Sequence, residues 1–231
     1  MKTITQALSN NTYPGRGILL GTGKENERVM AYFIMGRSEY SRNRIFVEAE
    51  NGGVRTEAFD PSKIVDASLI LYQPVRRIYN ETIVTNGDQT DTIFAAMRLG
   101  GNFESALRTR RFEPDEPNYT PRISGIYTRD GYKLSILKNA PGSTTAVCRQ
   151  FFEYPQIPGL GHLIHTYDGD GNPLPPFTGE PTPVAVEGDI DTFTKTLWEA
   201  LNADNKISLF VRFENPINGD IETRIINKNK K

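Results

Sequence analysis

The stretch from Tyr13 to Arg44, YPGRGILLGTGKENERVMAYFIMGRSEYSRNR, constrains the fold more than any other part of the chain. Its apolar runs, Gly17–Gly21 and Val29–Met35, are separated by polar turn residues and predict a β-hairpin. The second run feeds directly into Gly36-Arg37-Ser38 and on to Arg42 and Arg44. With Arg16, this sets four arginines in or beside the ends of two neighbouring strands. Strands of about five to seven residues hold such groups on a rigid sheet, and loops at strand ends commonly carry sites. Guanidinium forks suit a phosphate or a carboxylate and keep their charge near neutral pH. The stretch is equally consistent with an ordinary strand–turn–strand whose arginines are solvated.

Beyond Arg44 the pattern stays β and locally connected. Strand-like runs occur at Ile45–Glu50, Val54–Phe59, Ser68–Tyr72 and Glu81–Thr85, with a hairpin signal at Asn51-Gly52-Gly53. The period then changes. Asp88, Thr90 and Asp91 offer caps to a helix reaching about Leu99, and Asn102 can cap a second with Phe103, Ala106 and Leu107 on its apolar side. A proline-broken segment, EPDEPNYTPRI, leads to strands at Ile123–Thr128, Tyr132–Lys138, Thr144–Tyr154 and Gly161–Tyr167. A long Pro- and Gly-rich loop, a candidate lid, covers Asp168–Pro183. A helix from about Asp189 to Ala203 puts Phe193, Leu197 and Leu201 on one stripe. A hairpin, Ile207–Glu214 with Ile221–Asn227, closes the chain. The expectation is an α+β fold with mostly antiparallel sheets. It is a single domain over 13–227, with a loose extension at 1–12 and a basic tail at 228–231.

A chain of 231 residues can bury a sizeable core. Its net charge of -1 gives no global pull towards nucleic acid or acidic membrane, so any anion site must be local. The single Cys148 excludes an intramolecular disulfide and reads as a small core residue. MKTITQALSNN lacks the apolar core of a signal peptide, and no run approaches the roughly 20 apolar residues that span a bilayer. A cytoplasmic protein with no nucleic-acid or membrane partner is expected.

Few motifs look chemical. YDGDGN hints at a calcium loop through Asp168, Asp170 and Asn172, but Pro173 and Gly179 stand where glycine and glutamate belong, so a turn is expected. His162 and His165, at i and i+3 on a strand, point to opposite faces and make no metal site. No nucleophile is placed for covalent catalysis. Asn86-Gly87-Asp88-Gln89-Thr90-Asp91 is a tight turn into a helix start. It fits simple capping or an anion held on free N–H groups. Glu116, Tyr119, Thr120 and Arg122 share a loop framed by Pro117 and Pro121, which suits a site or a plain surface turn.

Taken together, YPGRGILLG, AYFIMGRSEYSRNR, VTNGDQTDTI and PNYTPRI resemble the archaeal-type IMP cyclohydrolases in order and approximate spacing. The resemblance covers about Tyr13 to Gly125. It departs from the family in the twelve residues before the first motif, in Gly36 where those enzymes favour serine, and in the longer, more basic turn at Ser41-Arg42. The resemblance implies a four-layer αββα, Ntn-hydrolase-like fold without the N-terminal nucleophile. It also implies an enzyme of purine biosynthesis that closes the formylated aminoimidazole carboxamide ribonucleotide to IMP with loss of water. No cofactor or metal is implied. On this reading Tyr72, Glu116 and Arg37 are catalytic, with Tyr72 and Glu116 transferring protons. Arg16, Arg37 and Arg44, helped by Arg42 and Ser38, clamp the 5′-phosphate or polarise the reacting oxygens. Asn86 and Gly87 bond the base, Asp91 orders the helix start, and Thr120 and Arg122 bind or brace the substrate. The alternatives are a non-catalytic purine-nucleotide binder or sensor on the same fold and an Ntn-like amide hydrolase. Exposed strand edges leave room for homo-oligomer assembly.

Overall fold

The structure is a computed structural model, described here for residues 1–64 and 71–229. In chain order its elements are α1 (Ile4–Leu8), β1 (Arg16–Thr22), β2 (Arg28–Met35), α2 (Glu39–Arg42), β3 (Ile45–Ala49), β4 (Gly53–Glu57), β5 (Val75–Ile78) and β6 (Glu81–Thr85). Then come α3 (Gln89–Arg98), α4 (Phe103–Arg108), β7 (Arg122–Tyr127), β8 (Gly131–Asn139), β9 (Val147–Pro155), β10 (Leu160–His165), β11 (Thr182–Ala185), α5 (Ile190–Ala200), β12 (Lys206–Glu214) and β13 (Ile221–Asn227).

One sheet has six strands in the order β11-β10-β1-β2-β12-β13; the other has seven, running β3 to β9 in sequence order. All the ladders between these strands are antiparallel. The α+β class with mostly antiparallel sheets holds.

Strand β2 explains why its sequence, RVMAYFIM, is apolar without alternation. Val29, Ala31, Phe33 and Met35 join a cluster with Ile4 and Leu8 of α1 and Ile190, Phe193 and Leu197 of α5. Met30, Tyr32 and Ile34 join a second cluster with Phe46, Val84, Ile123, Leu134 and Ile136 of the other sheet. A third cluster sets Ile83, Ile126 and Leu137 against Ile93, Phe103 and Leu107 of α3 and α4. With both faces of β2 apolar, hydrophobic pattern alone cannot choose its register, since a one-residue slip exchanges one apolar face for the other. Two features choose it instead. Gly17 lies opposite Phe33, and a Cβ there would collide with the Phe33 ring. From the second sheet, the Tyr127 hydroxyl accepts from the N–H of Gly21 at 2.8 Å and of Val29 at 3.1 Å.

Several expectations need correction. The first twelve residues are not a loose extension throughout: α1 docks there, started by a Thr3–Gln6 capping box, with Ile4 and Leu8 buried. Strand β5, in QPVRRIYN, was not expected because only Val75 and Ile78 are buried and two arginines separate them. Of the expected strand Ser68–Tyr72, residues 68–70 lie outside the described residues. Tyr72 is in no strand, although Thr56 N–H donates to its carbonyl at 2.9 Å. Of the basic tail, residues 230–231 lie outside the described residues, and Lys228 donates to the carbonyls of Ala203 and Asp204. The stripe Phe193, Leu197 and Leu201 is buried as expected.

Candidate active site

Strands β1 and β2 place Arg16 at the start of one and Arg37 just past the end of the other, and the cross-strand pair Arg16–Ile34 brings the two ends together. The chain leaves β2 through Gly36, where a Cβ would press on Ser41 and Ile207, and makes the single turn of α2. Ser38 caps that turn by accepting from Ser41 N–H at 3.1 Å. The turn delivers Arg44 back to the same end of the sheet. Together with the loop 113–120 and the segment after β10, these elements enclose a cleft of about 510 Å³. Its lining includes Tyr13, Arg16, Arg37, Ser38, Arg44, Glu113, Asp115, Thr120 and Tyr167. A cleft of that size suits a mononucleotide.

The floor is built from buried charge. Arg44 is 3% exposed, and its Nε donates to the Ser41 carbonyl at 2.9 Å. The Arg16 Nε is buried with no hydrogen-bond partner among the described residues. Burial opposes the charge on Arg16. The Glu113 carboxylate and the hydroxyls of Tyr72, Tyr167 and Tyr32 outweigh it, so its pKa lies above the ordinary arginine value. Burial and then Arg16 pull the Arg44 pKa down. Two cations thus crowd each other at the floor, and the cost falls on Arg44, whose charge an arriving anion or carbonyl oxygen would stabilise. Glu113, 8% exposed, is pushed above its ordinary value by burial despite Arg16, Arg122 and Arg44.

Tyrosines surround the floor, Tyr72 and Tyr32 from beneath without lining the cleft and Tyr13 and Tyr167 as part of its lining. The Tyr72 hydroxyl hydrogen-bonds the Tyr32 hydroxyl at 2.9 Å, deep beside Arg16 and Arg44. Tyr72 is held there by its own backbone, which donates to Thr56 Oγ1 at 3.0 Å. Tyr167 stacks on Tyr13 with centroids 6.1 Å apart, bonds Thr120 Oγ1 at 2.5 Å, and is pushed up to about 12, chiefly by burial. Asp115 is spent on the loop itself, accepting from Thr120 N–H at 2.7 Å and from the Thr120 hydroxyl. At the mouth, Arg37 pairs with Asp170, donates to Gly171 O at 3.1 Å, and lies 5.1 Å over the Tyr13 ring. The Asp168–Pro183 segment therefore forms part of the rim.

The structure brings together Arg16, Arg37, Ser38, Arg44 and Thr120, with Tyr72 behind them, and sets the other expected residues elsewhere. Glu116 is exposed and lines a different cleft, on the far side of its loop. The carboxylate that faces the arginines is Glu113. Arg42 turns away, bonding Gly36 O and Asn205 Oδ1. Asn86 is buried with its side chain consumed: its amide donates to Pro121 O at 2.9 Å, and its oxygen accepts from Ile123 N–H and Gln89 Nε2. Gly87 leaves room for Arg122, whose guanidinium bonds Asp88 and Gln89 at 2.7 Å each. Asp91 is an exposed partner of Arg76. Asn86, Gly87, Asp88 and Arg122 thus form a scaffold behind Glu113. Sequence reasoning missed Glu113, Tyr13, Tyr32 and Tyr167. The signal for Glu113 was three carboxylates in EPDE after Phe112, of which Glu113 and Asp115 reach this cleft and Glu116 does not.

Both histidines are buried and pulled down to about 4 by that burial. His162 bonds Tyr132 at 2.7 Å and stacks on Tyr154, while His165 packs edge-on to Phe177. Among the described residues no group of three or more His, Cys, Asp or Glu could hold a metal ion, and no helix is long and apolar enough to cross a membrane.

Comparison with known proteins gives the family of the chain. The family model described as "IMP cyclohydrolase-like protein" matches residues 13–220. A Methanopyrus kandleri protein named IMP cyclohydrolase is 29% identical over 164 residues, which are 64% of this chain and 81% of the relative. A Methanococcus maripaludis protein of the same name is 30% identical over 122 residues, 51% of this chain and 59% of the relative. One from Methanosphaera stadtmanae is 27% identical over 161 residues, 68% and 74% of the two chains. The family match spans every residue that lines the cleft, from Tyr13 to Leu174, and the chain belongs to the family of IMP cyclohydrolase-like proteins.

Proposed function

We infer that this protein is an IMP cyclohydrolase, closing the formylated aminoimidazole carboxamide ribonucleotide to IMP and water. The observation that carries the reading is half-buried Arg16 and buried Arg44 beside Glu113 at the floor of a mononucleotide-sized cleft. The carboxamide nitrogen attacks the formyl carbon within one molecule. A C–N bond forms as the carboxamide nitrogen loses a proton and the formyl oxygen gains one. The former formamido nitrogen then gives up its proton, a C=N bond forms, and the C–O bond breaks as the hydroxyl takes a second proton and leaves as water. Much of the acceleration comes from holding the two groups in near-attack geometry, which a narrow cleft supplies. Arg16 and Arg44 stabilise the developing oxyanion in a dry site. Glu113 takes the nitrogen proton, and Tyr72 delivers a proton to the departing oxygen. Arg37 and Ser38 at the open rim receive the 5′-phosphate, where its charge competes with Asp170 for the guanidinium. Thr120 and Tyr167 shape the wall. Glu113 thereby takes the role that the sequence suggested for Glu116.

The three apolar clusters support a packing order of helices, sheet, sheet and helices, the four-layer αββα arrangement of Ntn-hydrolase-like domains. A cytoplasmic location fits an enzyme of this biosynthetic type.

The test is direct. Purified protein with the formylated ribonucleotide, in EDTA, forms IMP well above the uncatalysed rate by ultraviolet absorbance. Tight IMP binding without turnover would instead mark a nucleotide sensor. Tyr72→Phe keeps the ring and its packing and loses one hydrogen bond to Tyr32, so we expect kcat to fall about 100-fold or more with only a small drop in melting temperature. Full turnover in that variant removes Tyr72 from the proton path.

A further inference from the structure

The loop from Glu113 to Thr120 is a wall between two clefts. Glu113, Asp115, Asn118 and Thr120 face the active cleft, whereas Pro114, Glu116 and Tyr119 face a second cleft of about 530 Å³. Arg110, Arg111 and Arg122 also line the second cleft. One carboxylate, Asp88, serves two of these guanidiniums, accepting from Arg110 at 2.6 Å and from Arg122 at 2.7 Å. Arg111 has no acidic partner among the described residues; it reaches only the carbonyls of Thr144 and Thr145 at 3.4 Å, and lies 4.7 Å over the Phe112 ring. The Arg122 Nε is buried and makes no hydrogen bond among the described residues. Arg149 adds a further guanidinium at the edge, donating to Arg110 O at 2.9 Å. Among the described residues that line this cleft Glu116 is the one acid, against three arginines, so positive charge is in excess there, in a chain whose net charge is -1.

We propose that this second cleft binds a small phosphate-bearing ligand of mononucleotide size, held by Arg111, Arg110 and Arg122. Partly desolvated guanidiniums that lack a full set of anionic partners recognise phosphate through paired N–H donors. The cleft is too small and the basic field too local for a polyanion such as nucleic acid, which is gripped through many phosphates at once. Tyr119 offers a ring beside the arginines; it is fixed at φ 44 and packed edge-on to Phe112 at 5.6 Å. Because Arg122 also stands beside Glu113, ligand here acts on the same wall that carries the active-site carboxylate. The site stands whether or not the cyclohydrolase reading does.

The experiment is calorimetric titration with adenosine 5′-monophosphate of three proteins: the wild type, an Arg37→Glu variant that repels phosphate from the active cleft, and Arg111→Glu. Arg111 is exposed, so its reversal leaves folding and basal turnover intact, checked by melting temperature and rate. The proposal expects Arg37→Glu to retain an AMP site and Arg111→Glu to weaken that site at least tenfold. AMP binding abolished by Arg37→Glu and untouched by Arg111→Glu places all binding in the active cleft and overturns the proposal. So does the absence of any binding to Arg37→Glu at millimolar AMP, or binding that Arg111→Glu leaves unchanged.

Discussion

Replacing Arg16 by Met lowers IMP formation about 100- to 1000-fold, the usual cost of removing one group that stabilises a developing oxyanion. The same change moves the melting temperature far less than the rate, because its two electrostatic consequences oppose each other. Arg16 is half-buried, crowds Arg44, and has a buried Nε without a hydrogen-bond partner among the described residues. Its surroundings favour its own charge, but that charge opposes the one on Arg44, which a methionine relieves. One loss follows: Glu113 gives up its foremost positive neighbour and becomes still harder to ionise. Stopped-assay kinetics beside a thermal melt separate the outcomes. If activity and stability fall together, Arg16 is a structural brace and the site reading fails.

Glu113→Gln is the second large effect, and it differs between pH values. As a proton acceptor Glu113 contributes about 100- to 10,000-fold, so the isosteric amide lowers kcat by that order. For stability the sign comes from the raised pKa. A carboxyl whose folded pKa lies above its unfolded value adds stability below the unfolded value and loses it as pH rises through the folded one. The glutamine cannot ionise and escapes that loss. The variant therefore melts higher than wild type at pH 8, and the difference shrinks as pH falls below the ordinary carboxylate range, near 4. A variant with wild-type turnover, or one less stable at pH 8 than at pH 4 relative to wild type, would falsify the assignment of Glu113 as the buried base. Glu116→Gln serves as the control: Glu116 is exposed in the other cleft, so its loss changes neither quantity much.

Local chemistry determined much of this protein from sequence alone. The β1–β2 hairpin, the helix caps at Asn102 and Asp189, and the α5 stripe all follow from contacts within a few residues, where periodicity and capping act. The arginines Arg16, Arg37 and Arg44 were legible for the same reason, because short strands fix where their ends lie. What only the tertiary structure decided depends on neighbours distant in sequence. Strand β1 pairs with β10, and β2 with β12, across more than a hundred residues, and nothing local encodes those partners. Burial likewise separates Glu113 from Glu116 and Arg44 from Arg42. The carboxylates within EPDE and the arginines within SRNR are chemically alike, and which of them faces the cleft follows from the path of the folded loop and the one turn of α2. Tyr72 and Tyr32 meet only because two sheets stack face to face. A sequence specifies side-chain chemistry, whereas desolvation, which gives these charges their function, exists only once the chain has closed around them.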